Sequence, residues 1–258
     1  MDDVSRRQFF LAAPAAVFVP ALGGRQGETP ATDAFPRQAL SIAREVVGAS
    51  HGNLARVKEL VNARPALARA AWDWGFGDWE TALGAASHVG NKEIAALLLE
   101  AGAHPTIFSA AMLGQLEALK AFVAASPGIQ RTRGPHGISL LAHARAGAST
   151  AVVTYLEALG DADPRYPSEP LDERDADGLI GTYTYGPGRT ERMVVTRDAR
   201  GRLMMRREEE PDRVLFHHGG RVFNPAGAEA VRIRFEPGSG PSTTLHIVDG
   251  PLVVRATR

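Results

Sequence analysis

The sequence predicts an α+β multidomain protein, in which a four-repeat α-solenoid is followed by a small antiparallel β barrel or meander. Two observations predict this fold class. Between residues 36 and 160, alanine-rich helical runs that end in glycine alternate with runs carrying paired apolar residues. Beyond residue 178, short β-rich runs are separated by Gly, Pro and Asp turn signals. A chain of 258 residues, 44% of them hydrophobic, can bury two such cores.

The N-terminus is typical of an export signal. Arg6 and Arg7 precede a 13-residue apolar run, residues 9–21, and this arrangement resembles the twin-arginine export motif. The run is shorter than the roughly 20 residues that span a bilayer. The sequence therefore predicts a signal peptide at 1–21, a flexible tether at 22–35, and a periplasmic or secreted protein. The mature chain should have no integral membrane span; whether the signal is cleaved or kept as an anchor stays open.

The first testable prediction concerns the paired arginines, Arg6 and Arg7. Because they would be the exporter's recognition element, we expect the double substitution Arg6→Lys and Arg7→Lys to hold the precursor in the cytoplasm. Cell fractionation and immunoblotting measure this. Normal export of the double variant, or export in cells without the twin-arginine machinery, would contradict it.

The helical pattern recurs four times, at 49–61, 85–105, 110–123 and 142–156. Its clearest copy runs from Thr81-Ala82-Leu83 through Ala86, Gly90, Ile94 and Leu98-Leu99 to Gly102-Ala103. This copy resembles the ankyrin repeat family, although Ala82 and Gly84 replace that family's proline and histidine. The resemblance implies that residues 36–160 stack as helical repeats with an extended concave binding surface.

The spacing of the turn glycines predicts a recess. Gly52, Gly90, Gly114 and Gly147 are separated by 38, 24 and 33 residues, against a family period of about 33. A long loop beside a shortened one should leave a notch between two projecting loops. The long loop holds all three tryptophans of the chain. We expect the recess to be lined by Trp72, Trp74, Asp78, Trp79, Glu80, His88, Phe108, Met112, Arg131 and His136.

Two interpretations of the tryptophans stay open. They can form the small core of an enlarged loop, or they can anchor a partner, since tryptophan is enriched at interface hot spots. Carboxylates next to the indole rings, as in Trp72-Asp73-Trp74, would favour a cationic group.

The sequence of the C-terminal part predicts an antiparallel meander that closes as a small barrel or a sandwich. Residues 161–177 are rich in proline and acidic residues and are typical of a linker, and eight short β runs follow within residues 178–258. On Gly181-Thr182-Tyr183, Arg202-Leu203, Phe223 and 231–235, this part resembles the small β domain appended to bacterial beta-lactamase-like and peptidase proteins. The resemblance implies an accessory domain, not a catalytic one.

The composition of the chain excludes several kinds of partner and site. Lys+Arg and Asp+Glu are both 29, which argues against nucleic acid as a partner, and the absence of cysteine excludes thiolate metal sites and disulfides. We find no enzyme motif and therefore predict no catalytic residue, no cofactor and no metal. His51, His88 and His104 are interpreted as turn or cap residues, and His143 as a buried structural residue.

The predicted function is an exported module that binds a protein partner. The alternative is a protein that binds a small, cationic ligand, or a periplasmic enzyme, using the notch.

Overall fold

The computed structural model describes residues 37–236 and 240–258; the predicted signal peptide and tether lie outside these residues. Helices occupy the first part of the described chain, and most of them pack against the next helix in the sequence as pairs. Their bounds are α1 Leu40–Ala49, α2 Leu54–Ala63, α3 Ala82–His88, α4 Lys92–Glu100, α5 Ile107–Leu113, α6 Leu116–Ala125, α7 Leu140–Ala146, α8 Thr150–Ala158 and α9 Glu173–Leu179. No helix of this described part is both long enough and apolar enough to cross a membrane.

Local sequence explains where the helices begin and turn. Asn53 and Asn91 cap α2 and α4, each through a side-chain oxygen that accepts from the backbone N–H three residues on. Gly90, in the turn between α3 and α4, has a φ of 75°. A Cβ at this position would lie 2.0 Å from the carbonyl oxygen of Ala146, so only glycine fits.

A two-stranded hairpin interrupts the helices between α2 and α3. Its strands are β1 Ala71–Asp73 and β2 Trp79–Thr81, paired antiparallel with Trp72 opposite Glu80. Gly75, Phe76 and Gly77 all have positive φ and form the tip. The tip turns towards the C-terminal half, where Phe76 packs against the hydrophobic core of the barrel.

The C-terminal half is a closed antiparallel barrel in which neighbours in sequence are neighbours in space, and β10 closes against β3. This confirms the barrel predicted from the β-rich runs. Inward side chains alternate along each strand, as at Met193 and Val195 or Leu203 and Met205. The strands are β3 Gly181–Thr184, β4 Arg192–Arg197, β5 Leu203–Arg207, β6 Arg213–His217, β7 Val222–Pro225, β8 Arg232–Phe235, β9 Thr244–Asp249 and β10 Leu252–Thr257.

The predicted fold class, a four-repeat ankyrin α-solenoid followed by a small barrel, is wrong. Gln38–Arg258 forms one compact unit of helices and a closed eight-stranded antiparallel barrel. Each repeat of a solenoid contacts only its neighbours. Here α3 contacts α5 of the neighbouring pair and also reaches α7 beyond it, with Ser87 Oγ 2.8 Å from His143 Nδ1. The hairpin also contacts the barrel, where Arg213 donates to Asp78.

The reason for this error is physical. Alanines, a turn glycine and paired leucines determine that two short helices pack closely, but they do not determine how successive pairs stack. The helical part accordingly has two hydrophobic clusters, one centred on α1 to α4 and one on α5 to α8. Ala176 and Leu179 of α9 belong instead to the core of the barrel.

Candidate metal and ligand site

Glu80 is the centre of a buried polar cluster. It lies on β2 between two exposed residues, so the alternation of the strand turns its side chain inwards, and it is fully buried. Trp74 Nε1, from the other side of the hairpin, donates a hydrogen bond of 2.7 Å to Glu80 Oε2. The hairpin therefore both buries this carboxylate and orients it.

Three histidines surround the carboxylate. The Nε2 atom of His88 lies 2.9 Å from Glu80 Oε1, that of His136 lies 3.4 Å from the same oxygen, and that of His51 lies 3.5 Å from Glu80 Oε2. They come from three separate places: the turn after α1, the last residue of α3, and the 3₁₀ turn before α7. Only the packing of the helices brings them together.

In His51 and His136, the Nδ1 atom, which is the ring nitrogen farther from Glu80, already makes a hydrogen bond. His51 Nδ1 donates to the carbonyl oxygen of Gly48 at 3.0 Å, and His136 Nδ1 donates to Asp78 Oδ2 at 2.8 Å. In a neutral imidazole, the second nitrogen is then an acceptor. Both Nε2 atoms therefore direct a lone pair at the Glu80 carboxylate unless a cation, either a proton or a metal ion, lies between them.

Asp78 links the cluster to the barrel. Its carboxylate accepts from the backbone N–H and Nδ1 of His136, both at 2.8 Å, and from Arg213 Nη1 at 2.7 Å. Arg213, on β6, also donates to the carbonyl oxygen of Trp74. The side chains of Asp78 and Arg213 are only 3% and 11% exposed, so solvent screens this ion pair little.

The electrostatics of the cluster favour bound positive charge. Burial acts to raise the pKa of Glu80, but close contacts from His136 and His88 outweigh it and lower that pKa to about 2. Burial likewise acts to lower the pKa of His136, but hydrogen bonds to Asp78 and Glu80 raise it to about 9. Neighbouring His143 shows the opposite behaviour, since burial and the charge of His88 lower its pKa to about 4.

The four inner side chains are close enough together to hold a metal ion. One ligand atom from each of His51, Glu80, His88 and His136 lies within 4.8 Å of the others. Ligand atoms around a tetrahedral zinc ion with bonds near 2.1 Å are about 3.4 Å apart. Glu80 Oε1 and His88 Nε2, although close together, are buried and lack a hydrogen bond of acceptable geometry. An ion among the four would satisfy both atoms.

A cavity adjoins the cluster. Its volume is about 580 Å³, within the range of small-molecule sites. Both halves of the protein form its walls: His51, Trp74, His88 and His136 from the helical side, and Pro211, Asp212, Arg213 and Val214 from the start of β6.

The structure brings together five of the ten residues expected to line the recess: Trp74, Asp78, Glu80, His88 and His136. The other five lie elsewhere. Trp72 is half-buried beside Arg44, and Trp79 is 63% exposed. Phe108 packs on His143, Met112 is fully buried in the core, and Arg131 pairs with Asp161.

Sequence reasoning left His51 out of the expected site. A signal for it exists, because the same three residues, Ala-Ser-His, occur at 49–51 and 86–88 near the Gly-Asn turns of successive helix pairs, with one extra residue, Val89, before the second turn. In the structure the two imidazole rings are 4.9 Å apart. Interpreted singly, each histidine looks like a turn residue.

The comparisons with known proteins give little. No family model matches the chain, and no curated protein matches it. Two matching solved structures are crystal structures of SurE and of SurE with D-Leu. Each is 27% identical, with TM-scores of 0.27 and 0.26 over 43% and 42% of this chain. The matches span 27% and 26% of the SurE chains, and TM-scores this low carry no argument.

The family assignments made from the sequence are therefore corrected. Neither the ankyrin assignment of residues 36–160 nor the appended β domain assigned to residues 178–258 has support, since no family model matches. Short alanine-rich helix pairs and short β runs occur in many folds, so such patterns do not identify a family. The twin-arginine motif lies outside the described residues.

Proposed function

We propose that this protein binds a divalent transition-metal ion through His51, Glu80, His88 and His136. The observation that carries the proposal is the convergence of four ligand atoms within 4.8 Å, two of which are buried without a hydrogen bond. Three imidazoles and one carboxylate suit zinc and other late first-row metals, and they do not suit Ca²⁺ or Mg²⁺, which prefer oxygen ligands.

The surroundings support the same proposal. Metal-binding histidines commonly donate their outer N–H to a carboxylate or a backbone carbonyl, which fixes the ring and its tautomer. The bond from His136 to Asp78 and that from His51 to Gly48 are of these two kinds. On this proposal, the cation expected in the acidic, tryptophan-rich recess is the metal ion itself.

The adjoining cavity favours a small-molecule role over a purely structural one. A ligand in it would contact His51 and His136, whose side chains are 33% and 31% exposed and therefore face open space. We infer that the bound metal takes a small coordinating ligand from this side. Binding of a protein partner is a second candidate, because Trp79 is 63% exposed on the outside of the hairpin.

Metal titration tests the proposal. Protein treated with EDTA and dialysed should bind zinc with a stoichiometry of one by calorimetry. His51→Ala should weaken this binding by roughly a hundredfold, because one of four ligands is lost. His104→Ala is the matched control, since His104 is exposed and is not a member of the cluster. Equal affinities for both variants and the parent would overturn the proposal.

Alanine substitutions of the exposed Trp79 and of the half-buried Trp74 distinguish the two candidate functions, which are metal binding and binding of a protein partner. Trp79→Ala should change the free energy of unfolding by no more than about 0.5 kcal/mol, as is usual for surface positions. Trp74→Ala should cost about 3 kcal/mol, because the half-buried ring packs on the helical core and donates to Glu80. Urea unfolding measures both changes. Loss of a protein partner with Trp79→Ala alone, with metal binding intact, would favour the second candidate.

The titration of the cluster predicts how stability depends on pH without metal. His136 has its pKa raised from 6.5 to about 9, so its stabilisation is complete below pH 6.5 and is lost as pH rises through 9. His143 has its pKa lowered from 6.5 to about 4, so stability also falls as pH drops from 6.5 through 4. The urea midpoint of EDTA-treated protein should therefore be highest near pH 6.5.

Bound metal should abolish the loss of stability that the metal-free protein shows as pH rises through 9. Zinc takes the place of the proton on His136 Nε2, so its affinity should rise about tenfold per pH unit between pH 7 and pH 9. A zinc affinity that stays constant across this range would show that His136 is not a ligand.

A further inference from the structure

Three of the four proposed metal ligands open onto the cavity that adjoins the cluster. His51, His88 and His136 line this cavity, whereas Glu80 is fully buried behind their rings. The side chains of His51 and His136 are 33% and 31% exposed, so the opening passes between these two rings. An ion held by the four side chains would therefore have Glu80 on its buried side and the cavity on its other side.

The open side leaves room for one more ligand on the ion. A zinc site accepts a further ligand, and can expand to five of them, where one position stays accessible. Here such a ligand enters from the cavity, on the side away from Glu80. The volume of the cavity, about 580 Å³, is that of a site for a small molecule.

The charges around this position favour an anion. Among the described residues, Asp212 and Arg213 are the charged side chains that line the cavity beside the histidines. Asp212 pairs with Arg206 at 3.1 Å. Arg213 pairs with Asp78 at 2.7 Å, so the two pairs add no net charge. Metal-binding histidines are neutral, so a divalent ion held with the single carboxylate of Glu80 keeps one positive charge. A buried charge is costly unless it is paired, and a monoanion would pair it.

The walls of the cavity suit an apolar body behind a small anionic head. The Nη1 and Nη2 atoms of Arg213 already donate to a carboxylate and to two backbone carbonyl oxygens. A phosphate would bring several oxygens that need further donors, whereas a carboxylate brings two, one of which the ion takes. Apolar side chains make up much of the remaining wall: Trp74, Pro211, Val214 and Ala226.

We propose that the metal-loaded protein binds a small carboxylic acid as its carboxylate in this cavity. The carboxylate coordinates the ion on the side away from Glu80, and the apolar chain lies along Trp74 and Val214. This inference rests on the proposed metal function and adds the class of ligand to it. The attraction for negative charge comes from the ion, because the cationic side chain of the wall is already paired. Anion binding should therefore depend on bound metal.

Full-length protein loaded with Co²⁺ tests the proposal, because the visible absorption of Co²⁺ changes when its coordination changes. The probes are hexanoate, 1-hexanol, hexylamine and inorganic phosphate at pH 7. Hexanoate should change the spectrum and bind at least about tenfold more tightly than each of the other three, since it alone combines one negative charge with an apolar chain. Protein treated with EDTA should lose this preference for hexanoate.

A substitution in the wall tests the position of the apolar chain. Val214 is half-buried on β6 and alternates with the buried Leu215, so Val214→Phe narrows the cavity. It should weaken hexanoate binding about tenfold and leave Co²⁺ affinity unchanged, because overpacking acts on the chain of the probe and not on the metal ligands. Val253→Phe is the matched control, since Val253 is 55% exposed on β10 and lies outside the lining; it should bind hexanoate like the parent.

The failure of this inference can be told apart from the failure of the metal site. If the protein does not bind Co²⁺, the proposed metal function is wrong and the carboxylate site falls with it. If Co²⁺ binds with a stoichiometry of one, but hexanoate binds no more tightly than 1-hexanol or binds equally to the metal-free protein, only the ligand class is wrong. The comparison of the four probes uses the parent protein, so it does not depend on how well Val214→Phe folds.

Discussion

Replacing Glu80 with glutamine should reduce zinc affinity about a thousandfold and destabilise the metal-free protein by about 3 kcal/mol at pH 7. The carboxylate is fully buried and is the anion that all three histidines face. A neutral amide removes the negative ligand of the proposed site. It also leaves the imidazolium of His136 with one carboxylate fewer, and loss of one partner from a buried ion pair usually costs 3–5 kcal/mol.

Calorimetry with zinc and urea unfolding in EDTA measure the two effects separately. Glu59→Gln is the control, because its side chain is 67% exposed and its loss should change stability by no more than about 0.5 kcal/mol. If Glu80→Gln lowers stability but binds zinc like the parent, Glu80 is only a counter-ion for the histidines. The metal proposal would then be wrong.

Replacing Asp78 with asparagine should have the second-largest effect. Carboxylates that orient a metal-binding histidine typically contribute ten- to a hundredfold to metal affinity, and Asp78 holds the ring of His136. The same carboxylate is the charge partner of Arg213, which is 11% exposed. Leaving that guanidinium unpaired should destabilise the protein by about 3 kcal/mol.

A double variant separates these two roles. Adding Arg213→Met to Asp78→Asn removes the unpaired charge, so it should restore part of the stability while zinc affinity stays low. Asp212→Asn is the matched control, since its pair with Arg206 is solvent-exposed and should contribute less than about 1 kcal/mol. Recovery of zinc affinity in the double variant would contradict a positioning role for Asp78.

The hydrogen bonds of Asp78 connect the proposed metal site to the barrel. Asp78 contacts His136 on one side and Arg213 on the other, so one carboxylate connects the start of β6 with the proposed metal ligands. We therefore expect substitutions at the barrel end to alter metal affinity without touching a ligand.

Much of the local structure follows from the sequence alone. The asparagine caps of α2 and α4, the glycine turns and the alternating β-rich runs each depend on neighbours within a few residues. The antiparallel meander was predicted in this way, with a barrel or a sandwich as its closure, and the structure has the closed barrel. The unusual concentration of tryptophans and carboxylates between α2 and α3 also indicated a special loop, and Trp74, Asp78 and Glu80 do meet there.

The stacking of the helix pairs and the composition of the site were decided by tertiary structure. His51, His88 and His136 lie in three separate turns or helix ends, and no local pattern determines that their Nε2 atoms converge on one buried oxygen pair. The ion pair between Asp78 and Arg213 spans 135 residues of sequence. Short-range preferences determine the elements, because they depend on backbone dihedrals and nearby hydrogen bonds. The convergence of the three histidines depends instead on how whole faces of the helices pack together. Many different packings satisfy the same local sequence pattern.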